Sequence, residues 1–400
     1  MVTIAVRQIG RVRLPIWGIM LGGAVAALLT GAITPINALH AINYEILIFL
    51  FGVFIIGTAM EESGYLAHTA TRIFSSQKTV QRLIFLFILV MGAFSALLMN
   101  DTLAIIGTPI ALILARTCNI PDRIFLLSLA GAITTGSIIS PIGNPQNLLI
   151  AISSGMANPF LTFPLYLAVP TLISGLILYA VILRLIPNIP KTLSPVMPEV
   201  GINDPGMAAL CRLSLALLLL LILLRILLVS LGYNPWPGLA GIALIASMPI
   251  LILSRNRLLI LKKVDYSTLV FFIALFILMA AVFASGIIQS AVSPNQILSI
   301  PLLITGSLVM SQIVSNVPFV AMLTPMLLEA GAGETAFLAL AAGSTIAGNL
   351  TILGAASNII IIQNAEQRGA TITFIEFLKF GVPVTMLQSL VFLVWFLIIT

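Results

Sequence analysis

Charge is scarce in this sequence. Of its 400 residues only 8% are charged and 60% are hydrophobic, whereas about a quarter of a soluble domain is charged. That shortage excludes an ordinary soluble fold. Cysteine and histidine are scarcer still, with two of each, so neither a disulfide framework nor a Cys/His metal cluster is expected. No GxxxxGK[ST] loop occurs, which argues against an ATP-driven pump. No clustered Asp or His set and no nucleophile–base pair stands out, so the chain is not expected to be an enzyme. The net charge of +6 follows from where the basic residues fall and implies no nucleic-acid partner. What the chain has instead is long apolar runs, not the alternating ten-residue segments of a barrel. It reads as an all-α, multi-pass protein of the cell membrane.

Apolar segments fall near 15–34, 44–61, 80–98, 102–115, 123–140, 146–154, 160–186, 210–231, 237–254, 266–284, 299–314, 317–328, 336–362 and 374–399. Crossing the bilayer takes about 20 residues, and several segments are too short. The first lacks a small-residue cleavage site and reads as a span, not a removed signal peptide. The pairs 80–98/102–115 and 299–314/317–328 break at polar tips. Each reads as a re-entrant hairpin, two tilted spans being the alternative. About nine full spans with a cytoplasmic N-terminus then put nearly every Lys and Arg on one side, the positive-inside pattern. Arg225 is left within 210–231, where it binds an anion, pairs with an acid or snorkels. His40 and His68 read as surface residues.

The second half echoes the first. "NYEILIFLFGVFIIGTAMEESGYL" (43–66) matches "DYSTLVFFIALFILMAAVFASGII" (265–288), and "SALLMNDTLAIIGTP" (95–109) matches "SQIVSNVPFVAMLTP" (311–325). "SPIGNPQN" (140–147) matches "TILGAASN" (351–358), pairing Gly143 with Gly354 and Asn147 with Asn358. The expected organisation is a first repeat over 1–186, with hairpin 80–115 and broken helix 123–154. A Pro-rich cytoplasmic linker covers 187–209 and a connecting span 210–231. A second repeat over 232–400 carries hairpin 299–328 and broken helix 336–362. The connecting span supplies the odd number that inverts the second copy, and inverted repeats with broken helices mark secondary transporters.

Four polar stretches interrupt the membrane segments: 100–102, 140–147, 315–316 and 349–358. Non-helical backbone at membrane depth survives only when packed in protein or lining water. Unwound carbonyls suit a cation, and half-helix N-termini suit an anion. The substrate site is therefore expected at Asn100, Asp101, Thr102, Asn144, Pro145, Asn316, Val317, Ser357 and Asn358. Asp101 is the expected proton carrier, because an unpaired carboxylate at that depth is costly. It could equally be a ligand for a cation or a neutral hydroxyl group, and the structural reading, compatible with either, is that it caps the second hairpin arm.

"NDTLAIIGTPIAL", "TPMLL", "SPIGNPQNLLI" and "IVSNVPFVAML" resemble the ion transporter superfamily, which includes citrate-transporter-like proteins, divalent anion:sodium symporters and arsenite permeases. The likeness covers about 40–385. Ser315–Asn316 is similar to the Ser-Asn-Thr signature of the dicarboxylate symporters. The resemblance implies one cation site at Asn100 and Gly143 and another at Asn316, Gly354 and Ala356. It also implies an elevator-type motion, often in a homodimer. The signature Thr is replaced by Asp101 in one copy and Val317 in the other, a pattern closer to the arsenite permeases. The expectation is a secondary active transporter for a small anion, oxyanion or weak acid, coupled to H+ or Na+ and using no other cofactor. The alternatives are an arsenite/antimonite efflux permease, a Na+/H+ antiporter or a passive ion channel.

Overall fold

The computed structural model describes residues 8–9, 12–13, 16–75, 77–186, 201–233, 238–286 and 297–399. Apart from a two-residue pairing of β1 (Gln8–Ile9) with β2 (Val12–Arg13), the regular structure among them is helical. The first half runs α1 (Ile16–Leu29), α2 (Pro35–Ala41), α3 (Tyr44–Glu62), α4 (Tyr65–Phe74), α5 (Val80–Leu98), α6 (Asn100–Thr117), α7 (Asp122–Ser137), α8 (Pro145–Ser153) and α9 (Pro159–Arg184). After α10 (Pro205–Ser230) come α11 (Leu239–Leu253), α12 (Arg257–Lys263), α13 (Tyr266–Ala284), α14 (Ile300–Val314), α15 (Asn316–Glu329) and α16 (Glu334–Ile346). Two 3-10 turns, Ala347–Asn349 and Ile352–Gly354, precede α17 (Ala356–Glu366) and α18 (Phe374–Ile399). Most of the expected linker lies outside the described residues.

The starts of α3 and α13 are written in the sequence. Asn43 caps the first by accepting from Ile46 N–H, and Asp265 caps the second by accepting from Thr268 N–H. A side-chain oxygen at this position satisfies one of the donors a helix start leaves open.

Six of the described helices are long and apolar enough to cross a membrane: α3, α5, α9, α10, α13 and α18. The expectation of about nine full spans also counts α1, α11 and the broken helices α7–α8 and α16–α17, whose single helices are shorter. α1 and α11 hold only 14 and 15 residues, about 21–23 Å at 1.5 Å per residue, short of the roughly 30 Å hydrocarbon core. The expected span 15–34 ends early because Gly31 takes a positive φ of 73° and Thr34 starts a separate short helix. The arm α5, expected as half of a hairpin, is itself long enough to span. α10 stands apart, with little of it buried and Leu220, Leu223 and Leu227 facing outward.

The denser helix packing falls into two groups. In one, α3 lies on α11, α1 on α13 and α10 on α11. In the other, α5 and α6 pack on α7, α14 on α16, and α9 on α18. Between halves the contacts are reciprocal: α17 packs on α6, and α15 on α8. Ion pairs tie helix ends together outside the apolar zone. Arg123 Nη1 meets Glu376 Oε1 at 2.7 Å and Lys263 Nζ meets Glu62 Oε1 at 2.6 Å. Arg116 donates to the carbonyl of Arg368 at 3.0 Å, so α6 and α17 end side by side.

Candidate functional site

Each hairpin turns on a single residue. Met99 joins α5 to α6 with φ 66° and ψ 143°, and Ser315 joins α14 to α15 with φ 76° and ψ 155°. This backbone region belongs to glycine, and a side chain there costs on the order of 1–3 kcal/mol. The same strained turn at both tips brings Asn100 and Asn316 to the first position of the following helix. Both are 5% exposed, and the side-chain Oδ1 of each lacks a hydrogen-bond partner. Nine residues on, Pro109 and Pro325 interrupt α6 and α15. The threonines before them, Thr108 and Thr324, donate back to the carbonyls of Ala104 and Val320 at 2.6 and 2.8 Å.

The breaks are built alike. Asn147 Nδ2 donates to the carbonyls of Ser137, Ile138 and Ser140 at 3.1, 3.4 and 3.0 Å. Asn358 Nδ2 donates to the carbonyls of Gly348 and Thr351 at 2.7 and 3.3 Å. These asparagines hold the unwound carbonyls that would otherwise be open in an apolar surrounding. Gly143 and Gly354 fold back against the preceding helix ends. A Cβ would come 2.5 Å from Ser137 O at the first and 2.7 Å from Ala347 O at the second. The first tip is joined to its break directly: Asn100 N–H donates to Gly143 C=O at 3.0 Å. The second tip reaches its own break at Gly348, whose Cβ position lies 3.5 Å from Asn316 Nδ2. The tips and breaks thus come together in pairs.

The family model for citrate transporters matches residues 1–337. The chain belongs to the citrate transporter family. It is a multi-pass membrane transporter, like its relatives. An uncharacterized transporter of Mycobacterium bovis is 28% identical over 394 residues, covering 92% of this chain and 90% of its own. The rice (Oryza sativa subsp. japonica) silicon efflux transporter LSI3 is 26% identical over 435 residues, covering 92% and 89%. The solved YdaH transporter of Alcanivorax borkumensis shares the fold at TM-score 0.57 and 14% identity, over 91% of this chain and 87% of its own.

In this citrate transporter family member the remaining expected site residues take different places. Asp101 is half-buried at the second position of α6. The capping reading fails: the cap position is Met99, and no side chain caps this helix. No ion pair among the described residues reaches its carboxylate. Thr102 seats against α3 at Gly57, where a Cβ would lie 2.8 Å from Thr102 Cγ2. Asn144 is wholly buried and its side chain engaged. Its Oδ1 accepts from Asn147 N–H at 2.8 Å, and its Nδ2 donates to Ser137 Oγ at 2.9 Å and Thr345 Oγ1 at 3.2 Å. Pro145 opens α8. Val317 is half-buried, Ala356 exposed and Ser357 buried, and Ser357 Oγ has no partner. Arg225 is half-buried near the end of α10, where Asn158 Nδ2 donates to the carbonyl of Ile226 at 3.3 Å.

Two polar groups, buried Thr345 and half-buried Gln312, escaped the sequence reading. Thr345 bridges to Asn144, Gln146 and Asn147 across the halves. Gln312 donates to Ala347 C=O at 2.8 Å and accepts from Thr351 Oγ1 at 2.7 Å, bracing the second break. An amide within an apolar run is a signal that could have found Gln312, since such groups need partners inside the bilayer.

Proposed function

We propose that this chain is a secondary active transporter for a small anion, oxyanion or weak acid, driven by H+ or Na+. The observation that carries the reading is the matched pair of tips: Asn100 and Asn316, equally buried, each offering an unpartnered carbonyl oxygen after a strained turn. An oxygen with no protein partner beside an unwound break suits a cation. Asn100 with Gly143, and Asn316 with Gly354 and Ala356, would hold the coupling ions. The N-termini of α8 and α17 offer free N–H groups to an anionic solute between them. Asn144, Pro145, Ser357 and Asn358 supply that rim, Asn144 and Asn358 by fixing backbone and not by touching solute. Thr102 and Val317 border it from the tips. Asp101 would carry a proton, since an unpaired carboxylate here is unfavourable as an anion.

The two helix-packing groups support an elevator-type motion of α5–α9 with α14–α18 against the remainder, with the two repeats inverted and the hairpins re-entrant. The outward apolar face of α10 is compatible with lipid or with a second copy in a homodimer. The family description names citrate and the rice relative's name is for silicon, so both belong in the test. Purified protein in proteoliposomes is given an imposed pH or Na+ gradient and screened with citrate, succinate, silicate, arsenite, phosphate and sulfate. Uptake or release of one of them above its own gradient is expected. Flux that follows only the solute's own electrochemical gradient, with no counter-ion movement, would mean a channel.

A further inference from the structure

A second polar cluster lies on the α18 side of the second break. Hydrogen bonds join Thr135 of α7, Asn349 of the break, Gln388 of α18 and the carbonyl of Ser174 of α9, and Thr385 and Ser389 flank Gln388 on α18. None is more than 4% exposed. α18 meets the break at Gly381, where no side chain separates it from the carbonyls of Asn349 and Leu350. Thr385 and Gln388 follow at four and seven residues, on the same face of the helix.

The amide donors are all used within the cluster. Asn349 Nδ2 donates to Gln388 Oε1 at 2.9 Å and Thr135 Oγ1 at 3.3 Å. Gln388 Nε2 donates to Thr135 Oγ1 at 2.9 Å and Ser174 C=O at 3.3 Å. What remains unpartnered is oxygen only: Asn349 Oδ1, Ser174 Oγ, Thr385 Oγ1 and Ser389 Oγ. The hydroxyls do not turn back onto their own helices, as Thr108 and Thr324 do. The C-terminal end of α16, the negative end of its dipole, is three residues before Asn349.

Helix packing does not demand these groups. At the same distances after Pro170 as Thr385, Gln388 and Ser389 stand after Pro383, α9 carries Leu172, Gly175 and Leu176. We propose that the oxygens of Asn349, Ser174, Thr385 and Ser389 bind a monovalent cation of the size of Na+, at a site separate from the hairpin tips. Uncharged oxygen ligands at a helix C-terminus suit one positive charge, whereas divalent ions draw on carboxylates. The site does not depend on the tips being cation sites.

The direct probe is thallium(I) in place of sodium in crystals of the full chain, read by anomalous diffraction. A peak within ligand distance of Asn349, Thr385 and Ser389 is expected, whatever is found at Asn100 and Asn316. No peak there, with water density in its place, overturns the proposal. Heat stability in detergent gives a second reading, because a ligand of the native state raises the melting temperature. In the Asn100→Ala/Asn316→Ala variant, sodium chloride should still raise the melting temperature relative to choline chloride. Adding Thr385→Val and Ser389→Ala should abolish that rise, and an undiminished rise would contradict the site.

Discussion

The two hairpin tips share a backbone and differ in chemistry. Both turn on one strained residue, both bury an asparagine with an open oxygen, and both follow with a Thr-Pro interruption nine residues on. Yet the first continues with Asp101 and Thr102 and the second with Val317 and Pro318. The first is tied to its own break by Asn100 N–H to Gly143 C=O and rests on α3 at Gly57. Under the proposed function the common features would form a cradle for ions, and the single carboxylate would make one tip answer to protons. On that reading the shared backbone would supply the geometry, and the difference at one residue would supply the asymmetry that coupling needs.

Breaking the difference should have the largest effect. Asp101→Asn is expected to abolish pH-driven transport in proteoliposomes while the protein still purifies as a folded species. Val317→Asp should not restore the drive, because the second tip lacks the first tip's surroundings. Unchanged pH dependence in Asp101→Asn would remove this carboxylate from the mechanism. Breaking the likeness comes next. Asn100→Ala and Asn316→Ala should each weaken coupling-ion affinity by about 10- to 100-fold, the equivalent of a hydrogen bond to a charged group at roughly 1.5–3 kcal/mol. Flux titrated against the ion would show it, and an effect confined to one tip would end the symmetry between them. The smallest effects belong to the breaks. Asn147→Ala and Asn358→Ala leave buried carbonyls open, a loss of about 1–3 kcal/mol. Thermal denaturation should find Asn147→Ala the worse, since it holds three carbonyls against two.

The helix ends at the polar tips and the two breaks were legible because polar residues inside apolar runs have few explanations. The glycines at 143 and 354 and the prolines at 109 and 325 punctuate the same places in the structure. The strained φ at Met99 and Ser315 was not legible, because neither residue type favours it; the shortness of the turn imposes it. Nor did sequence show that Asn147 and Asn358 spend their amides on the break, or that Asn144 faces Thr345 from the other half. The Asn144–Thr345 contact spans 201 positions and depends on how the halves close, while the Asn147 and Asn358 bonds reach back only 7–10 positions and depend on how each break unwinds. Gln312 and Gln388 were readable as intramembrane amides, but their partners were not. The length of α1 was overestimated because hydropathy continues past Gly31, where the backbone turns.

The central claim is that both tips border one space occupied by the transported solute. Thr102→Cys and Val317→Cys, each made with Cys118 and Cys211 replaced by serine, can be labelled with a water-soluble maleimide in the presence and absence of that solute. Protection of both positions over the same concentration range is predicted. Protection of one tip alone, or of neither while transport continues, would contradict the account.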